Sequence, residues 1–190
     1  VILNHTFEKM VEAVTKEMPD LIIVQNTTPT LYDDLELAKR VKELLREKIE
    51  IAFFGVHATA RPEDILCENV KFAIRNEPEF VALDLCRAVR EGGQSFGDIQ
   101  GLSYWRDGKV FHNQDRSPIL NLDDLPFPAR DLLPNDKYTI PTTGEPFTLI
   151  KTSRGCPYEC IFCTAPAYYG HRWRTRSAAN IVSEVKKVVA

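Results

Sequence analysis

Leu21-Ile22-Ile23-Val24-Gln25 and Ile51-Ala52-Phe53-Phe54 decide the fold. Both runs are short and almost continuously apolar, the pattern of strands covered on both faces of a sheet. Between them Leu31, Leu35, Ala38, Val41 and Leu45 recur at helical spacing, so 31–46 is predicted to be an amphipathic helix. Upstream, Phe7, Met10, Val11, Val14 and Met18 mark a helix over 6–18, ended by Pro19-Asp20. Downstream, Pro62 suits the first position of a short helix, with Glu63 and Asp64 favoured by its dipole. Val70 to Ile74 reads as a third strand, and Phe80, Val81, Leu85 and Val89 as a helix closed by Gly92-Gly93. Buried strands alternating with helices require parallel strands joined by crossovers. Residues 1–95 are therefore predicted to form a flavodoxin-like, doubly wound parallel α/β sheet. Because the sequence opens on a helix whose apolar stripe needs a sheet beneath it, a strand is expected upstream of residue 1.

The pattern changes after residue 95. Gly101 to Arg106 and Lys109 to Asn113 flank Asp107-Gly108, a two-residue turn signal that predicts a β-hairpin over 96–114. Residues 115–146 hold six of the 12 prolines, which excludes regular helix or strand there. Leu120, Leu122, Leu125, Phe127, Leu132 and Leu133 in that stretch are expected to be buried, making it a packed linker. Phe147 to Thr152 reads as a strand. Ile181, Val182, Val185, Val188 and Val189 form a helical stripe over 177–190, with Ser177 as N-cap. One strand, one loop and one helix cannot bury a core, so 147–190 is expected to be the start of a larger domain.

Composition narrows the function classes. The apolar fraction of 44% excludes a disordered chain, and the net charge of −3 argues against general nucleic-acid binding. Apolar runs fall far below the roughly 18 residues a membrane helix needs, and no secretory leader opens the sequence, so the protein reads as cytoplasmic. Charge is unevenly spread. Residues 151–190 hold seven basic and two acidic residues, whereas 1–150 are acidic overall. The blander reading of the basic segment, a solvated helix face, is the expectation here.

Of the five cysteines, Cys67 and Cys86 are isolated, while Cys156, Cys160 and Cys163 fall in Cys156-Pro157-Tyr158-Glu159-Cys160-Ile161-Phe162-Cys163. A disulfide framework would spread its cysteines, so the cluster points to soft-metal binding in a reducing compartment, as zinc or iron–sulfur. A structural zinc site needs a fourth ligand, and His171 lies at a poor spacing from Cys163. Four-iron clusters usually take four cysteines; three leave one iron open. A zinc knuckle completed by His171 or Cys67, and three unrelated thiols, are the alternatives.

This spacing, with Phe162 directly before the last cysteine, Ser153-Arg154-Gly155 leading in and Arg174-Thr175-Arg176-Ser177 opening the next helix, resembles the cluster motif of the radical S-adenosylmethionine enzymes. The resemblance implies a 4Fe–4S cluster on Cys156, Cys160 and Cys163, S-adenosylmethionine on the open iron, and Phe162 beside its adenine. It also implies a full or partial (β/α) barrel, of which 147–190 would be the first strand, loop and helix. Residues 20–95 and Leu122-Asp123-Asp124-Leu125-Pro126-Phe127-Pro128-Ala129-Arg130 resemble the cobalamin-binding-domain members of that family. By that resemblance Thr27 and Thr28, in Asn26-Thr27-Thr28-Pro29-Thr30, and Gly55-Val56-His57 line a cobalamin cleft beyond the strand ends. Val56 stands where the family has a second glycine, which predicts weakened cobalamin binding.

For a full-length enzyme the family implies methyl transfer to an unactivated carbon or phosphorus centre, with radical cyclisation or oxidation as the alternative. A small-molecule substrate and a reductant such as a flavodoxin or ferredoxin are the implied partners. The rivals are a family member whose α/β domain has lost cobalamin, and an iron–sulfur electron-transfer or structural metal module. Elsewhere, His5 and His112 read as solvent or turn residues and Cys67 and Cys86 as small core or boundary hydrophobes. Arg172, Arg174 and Arg176 read as surface residues, with the holding of a carboxylate or phosphate as the alternative, while Tyr168, Tyr169 and Trp173 fit core packing or a barrel mouth equally.

Overall fold

The computed structural model describes residues 6–45, 49–92 and 95–189. Helix α1 (Phe7–Glu17) leads to β1 (Leu21–Gln25), α2 (Leu31–Leu45) and β2 (Glu50–Phe54). A short α3 (Val56–Ala60) and a 3-10 turn at Pro62–Asp64 connect to β3 (Phe72–Ile74), then α4 (Pro78–Arg90). The helix at 31–46 is thus described to Leu45, while residue 46, Gly93 and His5 lie outside the described residues. Thr6 caps α1, its hydroxyl accepting from the Lys9 amide at 3.5 Å. Gly92, at φ 87°, takes the left-handed turn that follows α4.

β1, β2 and β3 pair parallel, with Ile22 opposite Ile51 and Ala52 opposite Phe72. Alternation along β2 sends Ile51 and Phe53 to one face and Ala52 to the other, all fully buried. On the first face Ile51 and Phe53 meet Val11 of α1 and Leu31, Ala38, Val41 and Leu45 of α2. On the second, Ala52, Phe72 and Ile74 meet Val81 and Leu85 of α4. Sequential parallel strands joined by right-handed crossovers place their connections on one side, and α4 closes the other. The doubly wound α/β reading holds.

β4 (Leu102–Arg106) and β5 (Lys109–His112) form the hairpin expected over 96–114, turning at Asp107 and Gly108, both at positive φ. The hairpin does not stand apart. β4 pairs antiparallel with β3, Ala73 opposite Ser103, and the sheet runs β1-β2-β3-β4-β5. The sheet is consequently mixed rather than wholly parallel. β4 alone runs against the others, because α4 leaves and re-enters the sheet at the same end, and the hairpin turns β5 back into the direction of β1–β3.

The proline-rich segment is pinned rather than deeply packed. Single 3-10 turns form at Leu122–Asp124, Arg130–Leu132 and Asn135–Lys137. Ile119 and Leu122 are buried, but Leu120, Leu132 and Leu133 are exposed, contrary to the expected burial.

The strand expected over 147–152 is not formed. Only Ser153–Arg154 (β6) is extended with a partner, pairing antiparallel with Arg174–Thr175 (β7). A strand exists by virtue of a continuous ladder, and among the described residues the backbone of 147–152 pairs with other backbone only at its ends, where the Phe147 amide donates to the Tyr138 carbonyl and the Arg176 amide to the Thr152 carbonyl, each at 2.9 Å. After the short α5 (Ala165–Tyr169), α6 (Ala178–Val189) ends the described chain, and the Ser177 hydroxyl accepts from the Asn180 amide at 3.1 Å as its cap. No helix among the described residues is long and apolar enough to cross a membrane.

Candidate functional site

The two parallel strands β1 and β2 end side by side, and the loops leaving them are forced together. The Asn26 amide donates to the Phe54 carbonyl at 2.6 Å. Gly55, at φ 122°, sits so close to Asn26 that a Cβ there would lie 2.4 Å from the Asn26 carbonyl oxygen. A side chain is excluded at 55 by backbone approach alone. Two residues on, buried His57 meets the Thr28 hydroxyl through Nδ1 at 2.9 Å, so a hydrogen bond joins the two loops. Thr27 pairs instead with Thr30, their hydroxyls 3.0 Å apart. Val56 opens α3 and is half-buried.

Two polar atoms here are buried without a hydrogen-bond partner, Asn26 Oδ1 and His57 Nε2. The nearest carboxylate to Nε2, Asp64 Oδ2, is 3.6 Å away, beyond hydrogen-bond reach. Orphaned buried groups carry a desolvation cost that a ligand would relieve. The cleft therefore fits a polar cofactor tail in its donor and acceptor chemistry, with the Val56 side chain as its one departure.

The cysteine segment is built differently. It is rooted where β6 meets β7 and where Gly155, at φ 83°, passes Arg172; a Cβ at 155 would lie 2.1 Å from the Arg172 carbonyl oxygen. The Cys156 amide donates to the Gly170 carbonyl at 3.2 Å. Beyond that root the loop faces solvent. Cys160 and Cys163 are exposed, Cys156 is half-buried, and Ile161 and Phe162 are 102% and 86% exposed. A turn closes between Cys160 and Cys163, whose amide donates to the Cys160 carbonyl at 3.0 Å.

All five cysteines are free thiols. Three soft donors within one loop, none consumed by a disulfide, fit an iron–sulfur cluster or zinc in their chemistry. Three ligands of one metal centre should face a common point, and these do not: among the described residues no group of three His, Cys, Asp or Glu is arranged as a metal site. Exposed thiols on a loop held only at its root have nothing but a bound metal to draw them together. His171 is exposed, and Cys67 packs on the α/β core. Cys86 is exposed, where a core or boundary position was expected.

The basic segment is a solvated face only in part: Lys151, Arg172, Lys186 and Lys187 are exposed. Arg174 is 5% exposed, and with Arg154 it grips Glu77, itself 6% exposed, at the start of α4. Glu77 Oε1 accepts from Arg154 at 3.1 Å, and Oε2 from Arg174 at 2.8 Å and the Ile119 amide at 2.7 Å. Burial alone would raise the Glu77 carboxyl, yet the bonds from Arg174, Ile119 and Arg154 outweigh it and hold it below the ordinary carboxylate range. Burial likewise opposes the charged form of Arg154, but Glu79 and Glu77 raise it above the usual guanidinium value.

A second such node joins the linker to α6. Glu184, 1% exposed, accepts from Arg130 at 2.5 Å and from Arg176. Burial opposes its ionisation; Arg176 and Arg130 prevail and lower it. Tyr168 is buried beneath the loop, and burial pushes its hydroxyl well above the normal range. Sequence reasoning missed Glu77, Glu79 and Glu184 entirely. The acidic bias of 1–150 against the basic bias of 151–190 was a signal for Glu77 and Glu79, and nothing in the pattern marked Glu184.

The molecule is thus a three-layer α/β unit with loops meeting at its strand ends, joined to a loop of free thiols. No family model matches the chain. It is 36% identical over 182 residues to an uncharacterized methyltransferase of Pyrococcus horikoshii, covering 95% of this chain and 39% of that protein. It is 23% identical over 186 residues to the anaerobic magnesium-protoporphyrin IX monomethyl ester cyclase of Cereibacter sphaeroides, covering 96% of this chain and 30% of the other. Among solved structures it superposes on OxsB, a cobalamin-dependent S-adenosylmethionine radical enzyme with aqua-cobalamin and S-adenosylmethionine bound, with a TM-score of 0.80. That match has 18% identity and covers 98% of this chain and 25% of the other. A radical S-adenosylmethionine methyltransferase from Kitasatospora setae, TsrM, with cobalamin and a [4Fe-4S] cluster bound, matches with a TM-score of 0.70 and 15% identity over 98% of this chain and 38% of its own. Over 98% of its length the chain shares the fold of the corresponding parts of these two solved enzymes. It spans about two fifths or less of the length of these relatives.

Proposed function

We propose that this chain is part of a radical S-adenosylmethionine methyltransferase in which Cys156, Cys160 and Cys163 hold a 4Fe–4S cluster. The observation that carries the reading is the set of three free thiols on one loop with no fourth cysteine near them in sequence. Phe162, exposed beside the last thiol, is the residue that would lie against the adenine of S-adenosylmethionine. When bound, the cluster supplies the electron that cleaves the sulfonium, and cobalamin supplies a methyl carrier. The chain's own share is to bind and orient. Thr27, Thr28, Gly55, Val56 and His57 line the cleft for a cobalamin tail, and His57 Nε2 and Asn26 Oδ1 offer it unpaired polar atoms. The partners are a small-molecule substrate and a one-electron reductant such as a flavodoxin or ferredoxin. The cyclase among the relatives keeps radical cyclisation as the second reading.

The test is anaerobic reconstitution of the full-length enzyme, followed by iron, sulfide and S-adenosylmethionine-cleavage measurements. Cys156→Ala, Cys160→Ala or Cys163→Ala should each remove the cluster and all cleavage, because two thiolates cannot anchor it. Stoichiometric zinc under iron-replete conditions would overturn the reading.

A further inference from the structure

We infer that Glu77 is the positioning residue that sets the cysteine loop against the α/β unit. The loop leaves β6 and returns at β7, and each of those two short strands contributes one arginine to the same carboxylate. Arg154 stands two positions before Cys156 and reaches Oε1; Arg174 stands at the far root and reaches Oε2. The Ile119 amide of the proline-rich segment takes a second place on Oε2, and Arg174 also donates to the Ile119 carbonyl at 2.6 Å. One side chain at the start of α4 thereby holds the linker and both ends of the loop.

The loop's own apolar residues, Ile161 and Phe162, stand in solvent, so apolar packing near the root falls to α5, which meets α3 and buries Tyr168. Glu79 adds a second carboxylate for Arg154 at 3.1 Å, but it is a third exposed and does not reach Arg174. The bonds to Glu77 are charge-assisted, directional and dry, which makes them suited to fixing geometry. Groups carried by the two units can act on one substrate only at a fixed separation, and a misplacement of about 1 Å costs roughly 100-fold in rate. That consequence rests on the proposed function; the carboxylate node itself does not.

Two measurements on the full-length protein test this. The first needs no cofactor: amide hydrogen exchange of Glu77→Gln and Glu79→Gln. Glu77→Gln should speed exchange at least tenfold at Ile119, Cys156 and Arg176, leaving Phe53 and Ala73 in the sheet within twofold. Glu79→Gln should change the loop-root amides less than threefold. Unchanged loop roots, or equal acceleration of loop and sheet, would overturn the inference, the latter by making Glu77 a general support of the fold. The second is product formed per S-adenosylmethionine consumed in the reconstituted enzyme. Glu77→Gln should retain iron content and lower that ratio at least tenfold, with Glu77→Asp recovering part of it. A parallel loss of product and consumption at constant ratio would count against positioning. Wild-type enzyme that consumes no S-adenosylmethionine would instead refute the proposed function, and the exchange result would still decide the role of Glu77.

Discussion

In the α/β unit Ile51, Ala52 and Phe53 are wholly buried within three layers, whereas in the cysteine loop Ile161 and Phe162 stand almost fully in solvent. The first region is shaped by what its own side chains bury, and its candidate cleft arises as a by-product of two strand ends meeting. The second is shaped by its roots alone: a two-residue ladder, one glycine pressed on a carbonyl, and two arginines on a carboxylate. A region that buries its core arrives at its geometry unaided. A region rooted at two points leaves its geometry for a ligand to complete.

Truncation should separate the two most sharply. Phe53→Ala should cost about 3–5 kcal/mol, through lost burial and the cavity left behind. Ile161→Ser should change stability by less than ~0.5 kcal/mol, since that side chain touches solvent on every side. Urea denaturation followed by circular dichroism measures both. Equal effects would break the contrast.

Gly55→Ala ranks next, at about 1–3 kcal/mol, because a positive φ and the Asn26 carbonyl both resist a Cβ. The same variant should disturb the Thr28–His57 hydrogen bond, read as a shift in the His57 imidazole resonances.

Acid should act on the other region first. Glu77 and Glu184 titrate below the ordinary glutamate value of about 4.3. With folded values below unfolded ones, their stabilisation is fully present above about pH 5 and is lost as pH falls through the folded values. Pepsin at about pH 3 should therefore cut first within 115–173 while the sheet resists. Primary cuts in β2 or α4 would contradict this. The smallest effect is expected of Cys86→Ala: an exposed thiol whose loss should leave both urea midpoint and iron content unchanged.

How far the sequence was legible follows the same division. Leu21–Gln25, Ile51–Phe54 and the helical stripes were readable because burial imposes periodicity on neighbouring residues. Asp107-Gly108 announced its hairpin through turn chemistry, though not that β4 would join β3. Phe147–Thr152 looked like a strand by the same apolar pattern and is not one, since pairing depends on a neighbour that local pattern does not report. Cys156, Cys160 and Cys163 were legible by spacing. Glu77 was not, because its partners lie 77 and 97 positions away and no periodicity links them.

The ladder of Ser153–Arg154 against Arg174–Thr175 has a consequence for protein engineering. The chain departs and returns across one strand spacing, about 5 Å, so everything between is a closed excursion from the fold. Closing a longer excursion is inexpensive, roughly 0.6 kcal/mol for each doubling of length. Residues spliced in between Tyr158 and Glu159, outside the root contacts, should leave the sheet untouched. The seam makes this segment a graft site whose length answers to what its thiols hold, and hardly at all to the scaffold beneath.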